Sequence, residues 1–421
     1  MEQALMNVSI EPQPLPVLGV TTERDFDTDD MVVNIGPQHP STHGVLRLIT
    51  TLDGEVVKEM QPVIGYLHRS KEKMGESRSY FQYQPTIDRV EYLSSFFDHY
   101  VYVSSMEAIA GLKVPRRVQY IRMIAMELNR ISSHLLWFGT FLLDLGATSP
   151  LFYAFRDREE ILKLFEDLTG ARMMYNYFRF GGVTKDLPPG WLDEVLDFVR
   201  RFPDRLAEYE AIVNKNPIFL DRTIGQGILD KDLCLEYGVT GPSLRAAGVA
   251  QDLRKTNPYC CYDAVEFDVP VAEHGDTFDR YKVRFAEMRE SLRIIEQCCR
   301  QIPGGDTAEL IAIQKEIDAA KAEAREPSKA WDSEWNTMGQ KVNLMVFKPP
   351  VGEAMTYVES PRGMLGCYIM SDGTPKAYRI KWRGASFSNL SVLPTLMKGH
   401  LYPDLMAIFG SLDVILPEVD R

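Results

Sequence analysis

Residues 36–44 read GPQHPSTHG and lie between two runs typical of β-strands, Met31 to Ile35 and Val45 to Leu52. The whole chain has only 7 histidines in 421 residues, and this segment carries His39 and His43. Its prolines restrict backbone φ and its flanking glycines permit sharp turns, so side chains on such a loop can project into a cavity. The same local pattern also suits a surface turn whose histidines only cap backbone groups.

Working outward from this loop, the flanking segments are rich in β-branched residues and predict strands. A further strand is predicted over Glu55 to Ile64, and Asp53-Gly54 supplies the turn of a tight hairpin before it. Near the other end, Met364 to Met370 and Lys376 to Trp382 predict a second pair of strands. Strands are therefore expected towards both ends of the chain.

Between these strands, apolar residues recur every three or four positions, which predicts helices. The two long ones cover Thr86 to about Gly111, which places Asp88 to Tyr92 early in a helix, and Pro115 to about Leu145, which places Asp144 at a helix end. The second has a stripe with small members that would let a neighbouring helix approach closely: Ile121, Ala125, Leu128, Ser132, Leu135, Gly139 and Leu142. Other helices are predicted over Arg156 to Thr169, Trp191 to Arg200, Asp204 to Lys215, Phe278 to Cys299, with Cys299 on the buried stripe, and Ala308 to Arg325.

These elements predict an α+β fold in which a central helical bundle lies between N-terminal and C-terminal β elements. The expected regions are an N-terminal arm over 1–30, an N-terminal β region with the histidine loop over 31–85, a helical bundle over 86–340 and a C-terminal α+β region over 341–421.

Composition limits the class of protein. The formal charge is −12, from 59 acidic and 47 basic side chains, which argues against a nucleic-acid partner. The 6 cysteines include no C-x-x-C pair, so we expect this chain to bind no metal itself, and reduced thiols are expected. The start of the chain does not read as a secretory signal, and no apolar run approaches the roughly 20 residues of a membrane span.

Three further features could carry chemistry: the DRVEY segment from Asp88 to Tyr92, the carboxylate of Asp144, and His68-Arg69 after a predicted strand. Each also has a structural explanation. Asp144 could accept backbone hydrogen bonds, Tyr92 could be an amphipathic core residue, and Arg69 could pair with an exposed acid.

An ordered series of motifs resembles one family, the hydrogenase-like large subunit of the quinone-binding module of respiratory complex I. The matching strings run through nearly the whole chain from Met31 to Arg421: GPQHPSTHGVLRL, GYLHR, DRVEYL, ELNRISSHLLW, GAR, RKTNPYCCYD, GDTFDRY, PRG, SDGTPKAYRIKWR, FSNL and the terminal EVDR. The resemblance implies the fold of nickel-iron hydrogenase large subunits. Because the two cysteine-pair motifs that hold the hydrogenase metal are missing here, the cavity is expected to be reused for a quinone.

The resemblance also implies roles for single residues. His43 and Tyr92 match the hydrogen-bond donors to the quinone head group, and Asp144 matches the aspartate that partners the histidine. Ser94 and Asp413 match positions that line the chamber. Arg69 and Arg89 match arginines near a terminal 4Fe-4S cluster, which in the family is held by a separate, smaller subunit.

Two departures from the family pattern concern that cluster and the C-terminus. Many members have a histidine just after GAR, whereas this chain reads Met173-Met174-Tyr175, so we expect a cluster with weak proton coupling and a low potential, which favours menaquinone over ubiquinone as the substrate. Pro417 stands where glycine is more usual, which should stiffen the C-terminal tail.

The function expected from the resemblance is that of a catalytic subunit in a proton-pumping NADH:quinone oxidoreductase. It would form the quinone-reduction chamber with the cluster-bearing small subunit, contact other peripheral-arm and membrane-arm subunits, and lie on the cytoplasmic face of the bacterial cell membrane. The alternatives are a hydrogenase-derived scaffold without chemistry and a membrane-bound nickel-iron hydrogenase subunit. The missing cysteine pairs disfavour the hydrogenase.

Overall fold

The computed structural model of the chain describes residues 30–38, 44–304, 338–339 and 347–421. Its N-terminal sheet is antiparallel and consists of β1 (Met31–Ile35), β2 (Arg47–Asp53) and β3 (Val56–Val63). Alternate residues of β2 are buried, as expected for a sheet with one face on the core. The predicted strands and the Asp53-Gly54 hairpin are confirmed.

The middle of the chain is mostly helical. In chain order, the helices described there are α1 (Lys71–Ser77), α2 (Tyr80–Ile87), α3 (Ser95–Ala110), α4 (Arg116–Asp144), α5 (Ser149–Thr169), α6 (Trp191–Val213), α7 (Pro217–Thr223), α8 (Lys231–Tyr237), α9 (Pro242–Ala246), α10 (Leu253–Thr256) and α11 (Thr277–Gln301). The short strands β4 (Phe178–Arg179), β5 (Gly182–Val183) and β6 (Met338–Gly339) form a second antiparallel sheet.

The C-terminal part has a third antiparallel sheet and a group of short helices. The strands are β7 (Gly352–Ser360), β8 (Gly363–Ser371) and β9 (Ala377–Arg383), and the helices are α12 (Ala385–Ser391), α13 (Leu393–Met397), α14 (Leu405–Ser411) and α15 (Leu416–Val419). The strands predicted at β8 and β9 are confirmed, whereas β7 was not predicted. The mixture of helix and antiparallel sheet confirms the α+β class, and the likeness to hydrogenases stays a prediction.

Helix α4 is the centre of the helical core, because it packs against α3, α5, α11 and α14 and is buried along most of its length. The predicted stripe of this helix is buried, including Gly139. A Cβ at Gly139 would lie 2.9 Å from Leu151 Cδ1, so the missing side chain is what lets α5 approach α4. The close approach predicted for a neighbouring helix is confirmed.

The two ends of the chain meet. Val57 of β3 donates its N–H to the carbonyl of His400 at 2.9 Å and accepts from Gly399 N–H at 2.8 Å, and Tyr402 N–H donates to Glu55 at 2.8 Å. The N-terminal sheet and the C-terminal helices share one hydrophobic core, which is separate from the core around α4.

The helix predicted over Thr86 to Gly111 is wrong in its first part. Helix α2 ends at Ile87 and α3 begins at Ser95, so residues 88–94, which we call the DRVEY turn, are not helical. Side-chain acceptors explain the break: Asp98 Oδ2 accepts from Glu91 N–H at 2.7 Å, and Glu91 Oε1 accepts from Leu93 N–H at 3.0 Å. Such side-chain bonds compete with the helical backbone bonds.

Two other helix predictions are corrected. The segments predicted separately around Pro203 form the single helix α6, because the buried side chains of Phe198, Phe202 and Leu206 carry one apolar face through the proline. The second correction concerns α11, where Cys299 was expected on the buried stripe. Cys298 is the fully buried cysteine of this helix, and Cys299 is only partly buried. The helix predicted over Ala308 to Arg325 lies outside the described residues.

Gly139→Val should lower the free energy of unfolding by about 1–3 kcal/mol, because the added side chain would collide with Leu151 across the α4–α5 contact. Urea unfolding followed by circular dichroism measures this loss. Gly352→Val is the matched control, since a Cβ at Gly352 meets nothing within 4 Å, and it should change the stability by less than about 0.5 kcal/mol. Equal losses in the two variants would contradict the role assigned to Gly139.

Candidate functional site

The candidate site centres on Arg362, which lies in the turn between β7 and β8 and is 1% exposed. Its Nη1 donates to Ser94 Oγ at 3.0 Å and to Ser133 Oγ at 2.9 Å, and lies 3.2 Å from Glu91 Oε2. Its Nη2 donates to Asp413 Oδ1 at 3.2 Å. We call these five residues the Arg362 cluster. It joins the DRVEY turn, α4, the C-terminal sheet and the segment after α14.

Two of the residues predicted from the sequence, Ser94 and Asp413, therefore meet on a single guanidinium. Asp413 has φ of +53°, a left-handed conformation that is uncommon for a residue with a side chain. Its carboxylate is buried, and Oδ2 has no hydrogen-bond partner among the described residues. The strained backbone of Asp413 therefore coincides with the position from which its carboxylate bonds to Arg362.

Tyr92 lies at the border of this cluster and is half-buried. Burial raises the pKa of its phenol, the charges of Glu91 and Asp413 add to this rise, and the charge of Arg362 opposes it. The phenol therefore keeps its proton at neutral pH and can act as a hydrogen-bond donor. The prediction that Tyr92 lies early in a helix is wrong, because it belongs to the DRVEY turn.

Asp144 is the last residue of α4, as the sequence predicted, and is half-buried. A Cβ built on Gly410 would lie 3.9 Å from Asp144 Oδ2, which places the carboxylate against α14. The carbonyl of Gly410 accepts from Trp137 Nε1 at 2.8 Å and so fixes α14 to α4. Asp413 follows directly after α14, so the two aspartates lie on neighbouring segments.

His43 lies outside the described residues, and so does His39. Gly44, the residue after His43, is described: a Cβ there would lie 3.5 Å from Leu416 Cδ1. This contact places the end of the histidine loop against α15, three residues beyond Asp413 in the sequence. The assignment of His43 stays a prediction.

Arg69, just before α1, and Arg89, in the DRVEY turn, are both exposed. Both act on the nearly buried Lys71: burial lowers the pKa of Lys71 to about 8, and the two guanidinium charges contribute to that decrease. Arg89 Nη1 also donates to the carbonyl of Pro85. The two exposed arginines, which lie close enough to Lys71 to act on it, give a positively charged surface that we call the Arg69–Arg89 surface.

The C-terminus holds the segment that carries Arg69. The carboxylate of Asp420 accepts from Gly65 N–H at 2.8 Å and from Leu67 N–H at 2.7 Å, and His68 Nδ1 lies 2.6 Å from the carbonyl of Asp420. Pro417 lies in the first turn of α15, where its missing N–H costs no hydrogen bond. The terminal EVDR motif therefore fixes the GYLHR segment in place through the hydrogen bonds of Asp420.

A second set of buried charges lies behind the Arg362 cluster, between α4 and α11. Burial would raise the pKa of Glu127, but the charges of Arg130 and Arg254 outweigh burial and lower it to about 2. Glu127 Oε1 lies 3.1 Å from Arg254 Nη1, and its Oε2 lies 3.1 Å from Arg130 Nε. Further along α4, His134 Nε2 lies 3.0 Å from Glu287 Oε2.

Sequence reasoning gave no role to Arg362, Glu91 or these charges. One signal was available in the sequence of α4. Charged and polar residues stand at helical spacing among its apolar residues, and once buried they need partners elsewhere in the chain. These residues are Glu127, Arg130, Ser133 and His134. Those partners lie far away in the sequence, and a single sequence does not identify them.

The described residues contain neither a metal-ligating group nor a membrane-spanning helix. No group of three or more histidine, cysteine or acidic side chains there is arranged to hold a metal ion. None of the helices in the described ranges is both long enough and apolar enough to cross a membrane.

Comparison with known proteins places this architecture in a family. Residues 144–421 match the family model described as respiratory-chain NADH dehydrogenase, 49 Kd subunit. An NADH-quinone oxidoreductase subunit of Geobacillus thermodenitrificans is 46% identical over 393 residues, which cover 93% of this chain and 99% of that protein. An NAD(P)H-quinone oxidoreductase subunit of Gloeobacter violaceus is 48% identical over 395 residues, which cover 93% and 98% of the two chains.

These matches define the class as a subunit of a respiratory-chain dehydrogenase. The chain belongs to the family of 49 Kd subunits of the respiratory-chain NADH dehydrogenase, which is complex I. The family predicted from the motifs is confirmed.

Arg362→Met should lower the free energy of unfolding by about 3–5 kcal/mol, because it removes the guanidinium that lies 3.2 Å from each of the buried carboxylates of Glu91 and Asp413. Chemical denaturation of the purified subunit measures the effect. Arg379→Met is the control: its ion pair with Glu76 spans 3.0 Å, the arginine side chain is 51% exposed, and the expected loss is about 0–1 kcal/mol. Similar losses in both variants would show that the Arg362 cluster does not stabilise the fold.

Proposed function

We propose that this chain forms the quinone-reduction chamber of an NADH:quinone oxidoreductase of the complex I type, with Tyr92 as a donor to the quinone head group. The observation that carries the proposal is the position of Tyr92: a half-buried phenol with a raised pKa stands beside a cluster of buried polar groups that includes Ser94 and Asp413. The names of the relatives, which are quinone oxidoreductase subunits, support the same reaction.

The chemistry suits these residue types. Reduction of a quinone to a quinol takes two electrons and two protons, and each oxygen needs a donor as its negative charge develops. Histidine, with a reference pKa of about 6.5, can give a proton near neutrality, and tyrosine, near 10, can give one to a more basic oxyanion. In this proposal His43 and Tyr92 are the two donors, and Asp144 stabilises the imidazolium form of His43 before it transfers its proton.

The electrons come, in this proposal, from a 4Fe-4S cluster in an adjacent, smaller subunit. In this proposal the partner subunit supplies the ligands of the cluster. The Arg69–Arg89 surface suits a place against it, because fixed positive charge stabilises the additional negative charge of a reduced cluster.

The proposed assembly is larger than this pair of subunits. Other peripheral-arm subunits would deliver the electrons, and membrane-arm subunits would hold the chain at the cytoplasmic face of the bacterial membrane and couple quinone reduction to proton translocation. The same proposal includes the fold of the hydrogenase large subunits. It also includes the division of the chain into the regions 1–30, 31–85, 86–340 and 341–421.

Tyr92→Phe should lower the rate of quinone reduction by the assembled complex about 100-fold or more, because it removes a general acid and leaves the ring in place. Electron transfer from NADH to an artificial acceptor, which does not use the chamber, should be unchanged. Tyr378→Phe, at a tyrosine that is 65% exposed, is the matched control. Unchanged quinone turnover and quinone affinity in Tyr92→Phe would refute the assignment of Tyr92.

The cluster of the partner subunit should have a midpoint potential that is nearly independent of pH. Met174 and Tyr175 stand where the family pattern described above implies a histidine. Burial raises the pKa of Tyr175, which stacks on Phe96 with ring centres 4.2 Å apart. Neither side chain can take up a proton when the cluster is reduced. A redox titration followed by electron paramagnetic resonance between pH ~6 and ~8 tests this. A fall of about 59 mV per pH unit would contradict it.

A further inference from the structure

The segment from Ile64 to Ser70 connects β3 to α1 and carries Arg69. It belongs to neither a strand nor a helix, and most of its residues are exposed, including Tyr66, His68 and Arg69. Connections of this kind are usually mobile, because water takes most of their backbone hydrogen bonds. In this connection, however, backbone N–H groups donate to one buried side chain.

That side chain is Asp420, which is 6% exposed. One of its carboxylate oxygens accepts from the N–H of Gly65 at 2.8 Å, and the other accepts from the N–H of Leu67 at 2.7 Å. The backbone carbonyl of Asp420 lies 2.6 Å from His68 Nδ1, and since a carbonyl only accepts, that nitrogen carries a proton. One residue therefore holds three groups of the connection directly before Arg69.

Asp420 itself is fixed to the core. Its N–H donates to the carbonyl of Leu416 at 2.9 Å, at the end of α15. Two residues earlier, the carboxylate of Glu418 accepts from the N–H of Ala385 at 2.7 Å and ties α15 to the first turn of α12. Leu416 and Val419 belong to the hydrophobic core that the N-terminal sheet shares with the C-terminal helices. The carboxylate of Asp420 therefore has a rigid base.

The segment on the other side of Arg69 is held by the neighbouring residue. Arg421 Nε lies 3.7 Å from Glu72 Oε1 on α1, and the guanidinium of Arg421 lies over the ring of Phe387, 5.2 Å from its centre. Glu72 Oε1 also accepts from the N–H of Trp382 on β9 at 3.0 Å, which holds the start of α1 against the C-terminal sheet. Arg69 thus stands between two segments that are both fixed.

We propose that Asp420 is a positioning residue, which holds Arg69 towards the iron-sulfur cluster of the partner subunit and so sets how readily that cluster is reduced. This inference rests on the proposed function, in which the Arg69–Arg89 surface lies against the cluster. A cation stabilises the reduced cluster only while it stays close, because the interaction weakens with distance and with screening by solvent. A connection that is already ordered also costs less entropy when the two subunits associate.

The contacts require a carboxylate at this position. Two N–H donors, those of Gly65 and Leu67, face the two oxygens of Asp420, and both oxygens of a carboxylate accept. An asparagine has one oxygen and one NH2 group, so one of the two N–H groups would face a donor instead of an acceptor. Asp420→Asn therefore weakens the hold on the connection with little change in the shape of the side chain.

The test compares Asp420→Asn with Arg69→Ala in the assembled complex, by redox titration of the partner cluster followed by electron paramagnetic resonance. Both variants should lower the ratio of reduced to oxidised cluster at a fixed potential by about 3- to 10-fold. The sign is decisive, since the loss of the negative charge of Asp420 would by itself favour the reduced cluster and raise this ratio. A raised or unchanged ratio in Asp420→Asn would overturn the inference.

A double variant tests whether Asp420 acts through Arg69. In the Arg69→Ala background, Asp420→Asn should change the ratio by less than about 2-fold, because the cation that it positions is gone. A further fall as large as that in the single variant would contradict the inference. Asp230→Asn is the matched control and should leave the ratio as in the wild type: Asp230 also accepts from a backbone N–H, that of Leu233 at 2.8 Å, but lies at the exposed start of α8.

A second measurement needs no variant. Amide hydrogen exchange in the assembled wild-type complex should show that the N–H groups of Gly65 and Leu67 exchange at least about 100-fold more slowly than in an unfolded chain, although they lie in an exposed connection. Exchange at the unprotected rate would refute the role of Asp420, even if Asp420→Asn fails to assemble.

The outcomes separate the two proposals. If Arg69→Ala leaves the ratio unchanged, the place given to the Arg69–Arg89 surface in the proposed function fails together with this inference. If Arg69→Ala lowers the ratio and Asp420→Asn does not, only the role of Asp420 fails.

Discussion

The guanidinium of Arg362 bonds to Ser94, Ser133 and Asp413 and forms an ion pair with Glu91, and the arrangement of the site depends on this one buried cation. It stands at the turn between β7 and β8, while its partners come from the DRVEY turn, α4 and the segment after α14. The hairpin of β7 and β8 thus reaches the inside of the helical core. Since removing one member of a buried ion pair leaves the others uncompensated, these segments hold one another in place.

The second set of buried charges, around α4 and α11, also links separate segments of the chain. Glu127 and Glu287 keep their negative charge in the interior because arginines outweigh the effect of burial on their pKa, which is lowered in both residues. Buried ion pairs of this kind often add little net stability compared with apolar residues. Two contacts cross directly between α4 and α11, His134 with Glu287 and the hydrogen bond from Ser291 to Glu127, and a shift of one helix by one turn would separate both. We interpret the network as fixing the register of α4, from which Ser133 reaches Arg362 and Asp144 reaches α14.

Much of the fold followed from local patterns in the sequence. Apolar spacing gave both ends of α4 and the C-terminal end of α5 at Gly170, and turn chemistry gave the hairpin of β2 and β3. The two helix errors have different causes. Local bonds from the side chains of Asp98 and Glu91 to the backbone interrupt the predicted helix, whereas tertiary burial of one face carries α6 through Pro203. Of the site, the sequence itself singled out the segment that ends at Tyr92, whereas Ser94 and Asp413 were named only through the family resemblance. Arg362 was missed because its partners are up to 268 residues away in the sequence.

The interrupted helix matters for what the site can do. In a continuous helix, Arg89 and Tyr92 would stand three residues apart on one face, and a cation and a phenol donor would share the same surroundings. In the DRVEY turn they separate: Arg89 is exposed beside Lys71, whereas Tyr92 borders the buried cluster of Arg362. One segment of seven residues therefore presents positive charge to one side and a proton donor to the other. In the proposed function, electrons arrive at the Arg69–Arg89 surface and Tyr92 donates to the quinone, so the two groups have to be separated over a short distance. The bonds that Asp98 and Glu91 make to the backbone produce this separation.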